Sequence, residues 1–299
     1  MAELQPLVSI ITVTRNRAYL ISRAIESILK QTYTNFEYII IDGASEDNTK
    51  EVVHLFNDSR IKFVEMPLND ILLATKLGFE LSTGDFITFL DDDDEYLPLK
   101  IEKQLNLIQS LPETYGFVYC WMDYYDDSCN KFLYTHKAEL RGNVATEVVE
   151  DSVVSGTPSY FFRRNAFEFL GGWREIGLIS DWELAARACQ YYFVDYVPES
   201  LVKVHINHGS LRMSDKDYNK GRLKKFIKFH THFLTEYKTI FDQFPQKKSK
   251  HLYIISGSYF MLGEWRNGWP YYKNLLNETL TLKNLLLPPY CIIKREKQL

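Results

Sequence analysis

Cysteine is scarce in this chain, and its few positions form no pattern. Cys120, Cys129, Cys189 and Cys291 make no C-x-x-C pair and no regular framework, which indicates neither a zinc site nor a disulfide scaffold and fits a reducing cytosol. Long apolar runs are missing, since no segment reaches the ~20 residues needed to cross a bilayer. The first residues carry Glu3 instead of a basic segment, and the apolar run from Val8 to Ile11 is too short for a signal peptide. Glycine-rich phosphate loops are absent: neither G-x-G-x-x-G nor G-x-x-x-x-G-K-[ST] occurs, so a dinucleotide or P-loop cradle is disfavoured. A bound nucleotide diphosphate then needs a metal in place of those amides. The net charge of −4 supplies no global basic excess, so nucleic acid is not an expected partner.

Aromatic residues are plentiful, at 15% of the 299 residues. Many lie outside the strand-like runs, where they can stack on sugars, face a membrane or fill a core. The stretch that organises the chain is Phe86-Ile87-Thr88-Phe89-Leu90, which ends in Asp91-Asp92-Asp93-Asp94-Glu95. A short continuous apolar run is the pattern of a buried parallel strand, and ligands of open α/β sheets bind beyond the carboxyl ends of such strands. Adjacent carboxylates repel, so the cluster needs a cation, and oxygen ligands favour Mg2+ or Mn2+. The alternative is a solvated acidic turn before the helix that starts near Pro98.

Before this stretch the pattern alternates. Residues 7–13 and 36–41 read as strands around a helix at 19–31, whose Leu20, Ile21, Ala24, Ile25, Ile28 and Leu29 share one face. A helix from about Asp47, a short strand at 61–65 and a helix at 70–81 closed by Thr83-Gly84 follow. The alternation predicts a doubly wound, mostly parallel sheet flanked by helices, with Thr14, Arg15, Asp42 and Asp91 to Asp93 on one edge. Asp42 is either a ligand for a ribose or base, or a turn residue of Asp42-Gly43. Later elements are a helix at 98–111, an aromatic strand at 116–125, an irregular insertion at 126–155, a strand near 159–164 and a helix at 181–191.

Three ordered motifs resemble glycosyltransferase family 2 and its GT-A type, Rossmann-like fold: Val8-Ser9-Ile10-Ile11-Thr12-Val13-Thr14-Arg15-Asn16-Arg17, then Ile39-Ile40-Ile41-Asp42-Gly43-Ala44-Ser45, then Thr83-Gly84-Asp85 through Leu97-Pro98 with its D-x-D core. The resemblance implies that Val13 and Arg15 flank the nucleotide base and that Asp42 binds it. It gives Asp91 and Asp92 to the donor nucleotide and Asp93 to the metal. Many members have Pro and an aromatic where Val13 and Arg15 stand, and an Arg where Lys76 would meet the diphosphate. Downstream, Phe169-Leu170-Gly171-Gly172-Trp173, Ser180-Asp181-Trp182 and Val204-His205-Ile206-Asn207-His208 resemble the family's acceptor side, catalytic loop and His-containing stretch. Asp181 is then the general base, with helix capping as its other role. Trp173 and Trp182 face the acceptor, Trp173 with a plain core role as its alternative, and His208, ahead of His205, approaches the metal.

The expectations are therefore a GT-A type domain at 1–214 and a helical extension at 215–299, part of which resembles a tetratricopeptide-like helix pair. The implied activity is inverting transfer of a sugar from a nucleotide-diphosphate donor, UDP-linked, to a saccharide or lipid-linked saccharide acceptor in cell-surface polysaccharide or glycolipid biosynthesis, with Mn2+ or Mg2+ as cofactor. A cytoplasmic enzyme is implied. The apolar and basic tail from Leu285 to Lys297 either touches the inner face of an anionic membrane or packs with a solvated basic end. A nucleotidyltransferase and a non-catalytic sugar-binding module are the other classes.

Overall fold

Seven residues of unbroken apolar or hydroxylated character, Val8–Thr14, form β1, and the strands that flank it place every loop of the site on one edge. In the computed structural model residues 5–176, 178–179, 181–209 and 220–296 are described. The strands are β1, β2 (Phe36–Gly43), β3 (Ile61–Met66), β4 (Phe86–Phe89), β5 (Glu95–Tyr96), β6 (Tyr115–Asp126), β7 (Lys131–His136), β8 (Phe161–Arg163), β9 (Glu175–Ile176), β10 (Leu178–Ile179) and β11 (Phe193–Ile206). The helices are α1 (Ala18–Leu29), α2 (Thr49–His54), α3 (Ile71–Leu81), α4 (Lys100–Ser110), α5 (Ala145–Glu150), α6 (Arg164–Phe169), α7 (Asp181–Ala188), α8 (Lys220–Glu236), α9 (Lys238–Gln243), α10 (Ser249–Leu262), α11 (Trp265–Glu278), α12 (Leu282–Leu285) and α13 (Leu287–Glu296).

The main sheet runs β3-β2-β1-β4-β8-β6-β11-β5, with β7 beside β6. Its first four strands are all parallel, so β1, β2 and β4 end on the same edge. The remainder is mixed, because β8 pairs antiparallel with both β4 and β6 while β11 runs parallel to β6. Alternation along β2 divides the core between two faces. Tyr38 and Ile40 join Ile21, Ile25 and Ile101 beneath α1 and α4, whereas Ile39 and Ile41 pack with Met66 and Ala74 of α3. Each fully buried isoleucine contributes ~2 kcal/mol by leaving water.

The break at Thr83-Gly84 has a steric and an electrostatic cause. A Cβ on Gly84 would lie 2.7 Å from Leu7 O and Ser9 N, a clash with backbone, so only glycine lets β4 start beside β1. Glu37 receives Ser9 Oγ at 2.7 Å and the Thr83 and Gly84 amides at 2.5 and 3.2 Å. Burial raises its pKa, but Lys62 and these donors outweigh burial and hold the carboxyl down at about 2.

The span 126–155, expected to be irregular, contains the end of β6, the hairpin strand β7 and helix α5. Its polar composition hid the hairpin, which pairs with the exposed end of β6. The long strand β11 had no counterpart among the expected elements either.

Of the described residues, 5–144, 153–174 and 181–209 form one compact unit, and 145–152, 175–176, 178–179 and 220–296 form a second. The expected boundary at 214 falls outside the described residues. In the second unit α10 and α11 form a hairpin through Gly263, whose φ of +80° closes α10. A Cβ on Gly268 would meet Phe260 and Tyr259 at 2.9 Å, so the two helices approach at a glycine.

Two buried histidines join this unit's helices. His251 Nε2 is 2.7 Å from Val149 O, which can only accept, so Nε2 carries the proton and Nδ1 accepts from His230 Nδ1 at 2.9 Å. Both rings are neutral. Burial, and then the neighbouring His251 and Lys250, hold His230 well below its ordinary pKa, and burial lowers His251 to about 4. A depressed folded pKa means that the unfolded chain binds protons first, so stability is complete above pH 6.5 and falls as pH drops toward about 4. Hydrogen exchange of α8 and α10 across this window should show progressive loss of protection, with a smaller slope in His230→Phe. A flat profile would contradict the assignment.

Candidate active site

The turn after β1 and the turn after β2 lock each other. Asn16 and Ala44 both adopt left-handed φ, 51° and 61°, conformations that non-glycine residues hold only when their surroundings impose them. Asn16 N donates to Ser45 Oγ at 2.8 Å and Asn16 Oδ1 accepts from Glu46 N at 2.7 Å. Asp47 receives the Ala18 amide at 3.1 Å, which anchors the start of α1. These contacts aim Arg17, the residue before α1, at the end of β4.

There Arg17 Nη1 lies 2.6 Å from Asp92 Oδ1 and 3.1 Å from Asp93 Oδ2. Burial pushes the Asp92 carboxyl up to about 6, Arg17 draws it down less than that, and the nearby Asp93 charge adds to the rise. Burial also opposes the charge of Arg17, but Asp92 and Asp93 outweigh it and its pKa is raised. A second arginine holds the backbone: Arg23 Nη2 donates to Asp93 O at 2.5 Å while Nη1 meets Asp127 Oδ2 at 2.9 Å. Asp127 in turn contacts His205 Nδ1 at 2.5 Å, and His205 Nε2 contacts Glu95 at 2.7 Å. The His205 amide donates to Asp94 at 2.9 Å. The cluster is thus fixed from α1, β6 and β11 at once.

Asp91, Asp93 and Asp94 each offer an oxygen, all within 4.8 Å of one another, in a grouping suited to a metal. His208 lies beside them, its side chain 2% exposed, with Nε2 3.0 Å from Asp93 Oδ2. Neither of its ring nitrogens makes a well-oriented hydrogen bond among the described residues. A buried imidazole without a directed partner, facing grouped carboxylates, fits a hard divalent cation such as Mn2+ or Mg2+.

The structure redistributes the residues expected at this site. Asp94, and Asp91, which was expected at the nucleotide, stand with Asp93 in the grouping suited to a metal, while Arg17 engages both Asp92 and Asp93. Asp42 is buried, and both its oxygens accept from Ser45, from the hydroxyl and from the amide at 3.3 Å, so its carboxylate builds the turn. Arg15 is exposed beside that turn, its Cβ 4.0 Å from where a Cβ on Gly43 would stand. Val13 is half-buried against Ile39, Ile41 and Ala74, in the sheet's packing layer. Lys76 is exposed on α3 two positions beyond Ala74, so it points away from that layer.

The tryptophans expected at the acceptor are both buried. Trp173 and Trp182 are 6% and 8% exposed, and Trp173 meets Phe89 edge-on at 5.5 Å, so neither presents an open ring face to a sugar. Gly171 and Gly172, at φ +70° and +66°, turn the chain inward and send Trp173 behind β4. Arg187 secures the turn through the carbonyls of Leu170 and Gly172, the latter at 2.8 Å, and pairs with Glu183 at 2.8 Å. Glu183 is therefore consumed structurally. Asp181 is the half-buried first residue of α7, with Oδ1 accepting from Trp182 N at 2.8 Å and Oδ2 toward Gly156. His205 serves Asp127 and Glu95, away from a ligand role. Arg17, Arg23 and Asp127 were missed; Arg17 stood inside a motif that had been matched, and its charge opposite five acids was the available signal.

The model of Glycosyl transferase family 2 matches residues 9–171. The colanic acid biosynthesis glycosyl transferase WcaA of Escherichia coli K12 is 32% identical over 81% of this chain and 85% of its own length. WfgD of Escherichia coli, named as a UDP-Glc:alpha-D-GlcNAc-diphosphoundecaprenol beta-1,3-glucosyltransferase, is 39% identical over 38% of this chain and 44% of its own. Among solved structures, Staphylococcus aureus TarS 1–349 with UDP-GlcNAc superposes with a TM-score of 0.62 at 13% identity, covering 96% of this chain and 80% of that one. The mannosyltransferase PcManGT of Pyrobaculum calidifontis, with GDP-Man and Mn2+, gives 0.61 at 16% identity over 98% and 81%. The chain belongs to glycosyl transferase family 2 and is a glycosyltransferase of GT-A fold.

Arg17 yields a test that does not depend on turnover. Arg17→Met leaves buried carboxylates without their guanidinium and should lower stability by about 2 kcal/mol, part of the cost being relieved as Asp92 takes up a proton. Mn2+ should then restore more of the melting temperature than it adds to the wild type. Unchanged melting in the variant would remove Arg17 from this role.

Proposed function

We propose that the chain transfers a sugar from a UDP-linked donor to an acceptor hydroxyl with inversion. The observation that carries this reading is the convergence of Asp91, Asp93, Asp94 and His208 at the end of β4, with Arg17 beside them. Asp91, Asp93, Asp94 and His208 would hold a divalent cation, which when bound offsets the charge on a departing nucleoside diphosphate. The Asp42 turn, with Arg15 at its side, forms the edge on which the base and ribose rest. Asp42, already held by Ser45, costs little to orient there. Arg17 lies close enough to Asp92 and Asp93 to offset the repulsion between their charges.

Asp181 removes the proton of the acceptor hydroxyl as that oxygen attacks the anomeric carbon. Its place at the start of α7 supports the role, because the helix N-terminus favours the carboxylate and Glu183, the nearest alternative acid in sequence, is committed to Arg187. A saccharide acceptor, lipid-linked and belonging to a cell-surface polysaccharide, is supported by the names of WcaA and WfgD. No described helix is long and apolar enough to cross a membrane.

Two substitutions separate binding from chemistry. Asp181→Asn keeps a side-chain oxygen to accept the Trp182 amide, so it should melt and bind UDP with Mn2+ like the wild type while transfer falls roughly 10²-fold or more. Transfer within a few-fold of wild type would refute the base. Asp93→Asn should stay folded but lose the Mn2+-dependent rise in UDP affinity, measured by calorimetry; an unaltered metal response would dismiss Asp93 as a ligand.

A further inference from the structure

The charge of this chain is segregated. Residues 220–299 hold 15 lysines and arginines against five acids, a net +10, while residues 1–219 come to −14. An asymmetry of this size points to an anionic surface as partner for the basic part. The same part carries a cluster of exposed apolar side chains. Leu280 and Leu282 are each 72% exposed, and Leu285, Leu286, Tyr290 and Ile292 are exposed as well, six within thirteen residues.

Packing does not account for them. Helix α13 buries Leu287 and Cys291, spaced i and i+4, against α10, where Cys291 Sγ lies 3.6 Å from Gly257 O and Leu287 would stand 3.3 Å from a Cβ on Gly257. Leu286 and Tyr290, one position earlier and equally spaced, fall on a neighbouring face and are each 52% exposed. Basic side chains border this surface: Lys283 Nζ lies 4.8 Å from the Tyr253 ring and Lys294 Nζ 5.8 Å from the Tyr290 ring.

We propose that the surface formed by α12 and α13 docks the chain on an anionic phospholipid bilayer. Leucines at the depth of the headgroup boundary leave water, while the lysines meet lipid phosphates, the combination that holds interfacial helices. A second copy of the chain is a poorer occupant, because pairing this face with itself brings two +10 units together. Nucleic acid would use the lysines and leave the leucines in water. The inference stands apart from the sugar-transfer reading, since it needs neither donor nor acceptor.

Flotation of the full chain with vesicles tests it. The wild type should float with vesicles of phosphatidylglycerol and phosphatidylcholine, fail to float with phosphatidylcholine alone, and be released by high salt. Leu282→Ser/Leu286→Ser/Tyr290→Ser should reduce binding about tenfold or more with an unchanged melting temperature, and Lys283→Glu/Lys294→Glu should weaken it as well. Absence of flotation with anionic vesicles, or undiminished flotation of the triple variant, would overturn the proposal. So would a dimer in light scattering that the triple variant abolishes, or tight binding of single-stranded RNA that the triple variant retains.

Discussion

Five adjacent carboxylates at the mouth of a buried strand, with Asp92, Asp93 and Asp94 buried, cannot all be charged without cations beside them, and the architecture around β4 follows from this requirement. Arg17 answers it from the side chains and Arg23 from the backbone. Both depend on the local order of the β1–α1 turn, which is why Asn16 and Ala44 tolerate left-handed backbone and why Ser45, Glu46 and Asp47 lock that turn in place. Asp127, His205 and Glu95 then brace Arg23 from the opposite strands. The result is a carboxylate group that is rigid before any metal arrives, so little reorganisation is left for the moment of binding.

The parallel half of the sheet was legible because its signals are local and agree with one another. Apolar runs of strand length, amphipathic helices such as α1 and the breaker Thr83-Gly84 each name an element, and short connections name the order. The mixed half was not legible in the same way. Strands β7 and β11 carry polar and aromatic residues whose pairing is decided by distant partners, and propensity yields to such context.

At the site, residue types were readable but commitments were not. Asp91 to Asp94 are indistinguishable as letters; in the fold Asp92 stands outside the grouping of Asp91, Asp93 and Asp94, and the Arg17 it meets lies 75 positions away. Trp173 carried the composition of a sugar platform, yet two left-handed glycines and the Arg187 clamp turn it into the core. His205 and His208 stand three residues apart, and only the presence of Asp127 and Glu95 decides that the first braces the cluster while the second faces it. Charge segregation was present in the sequence from the start, hidden in a net of −4 that averages a basic and an acidic part.

The central claim is that the end of β4 holds a divalent cation between its carboxylates and His208. Anomalous diffraction at the manganese edge, from crystals of the intact chain soaked with Mn2+ and UDP, tests it most directly. The account predicts one strong peak at coordination distance, about 2.2 Å, from Asp93 and His208. A peak placed elsewhere, or UDP bound at this edge with no manganese beside it, would contradict it.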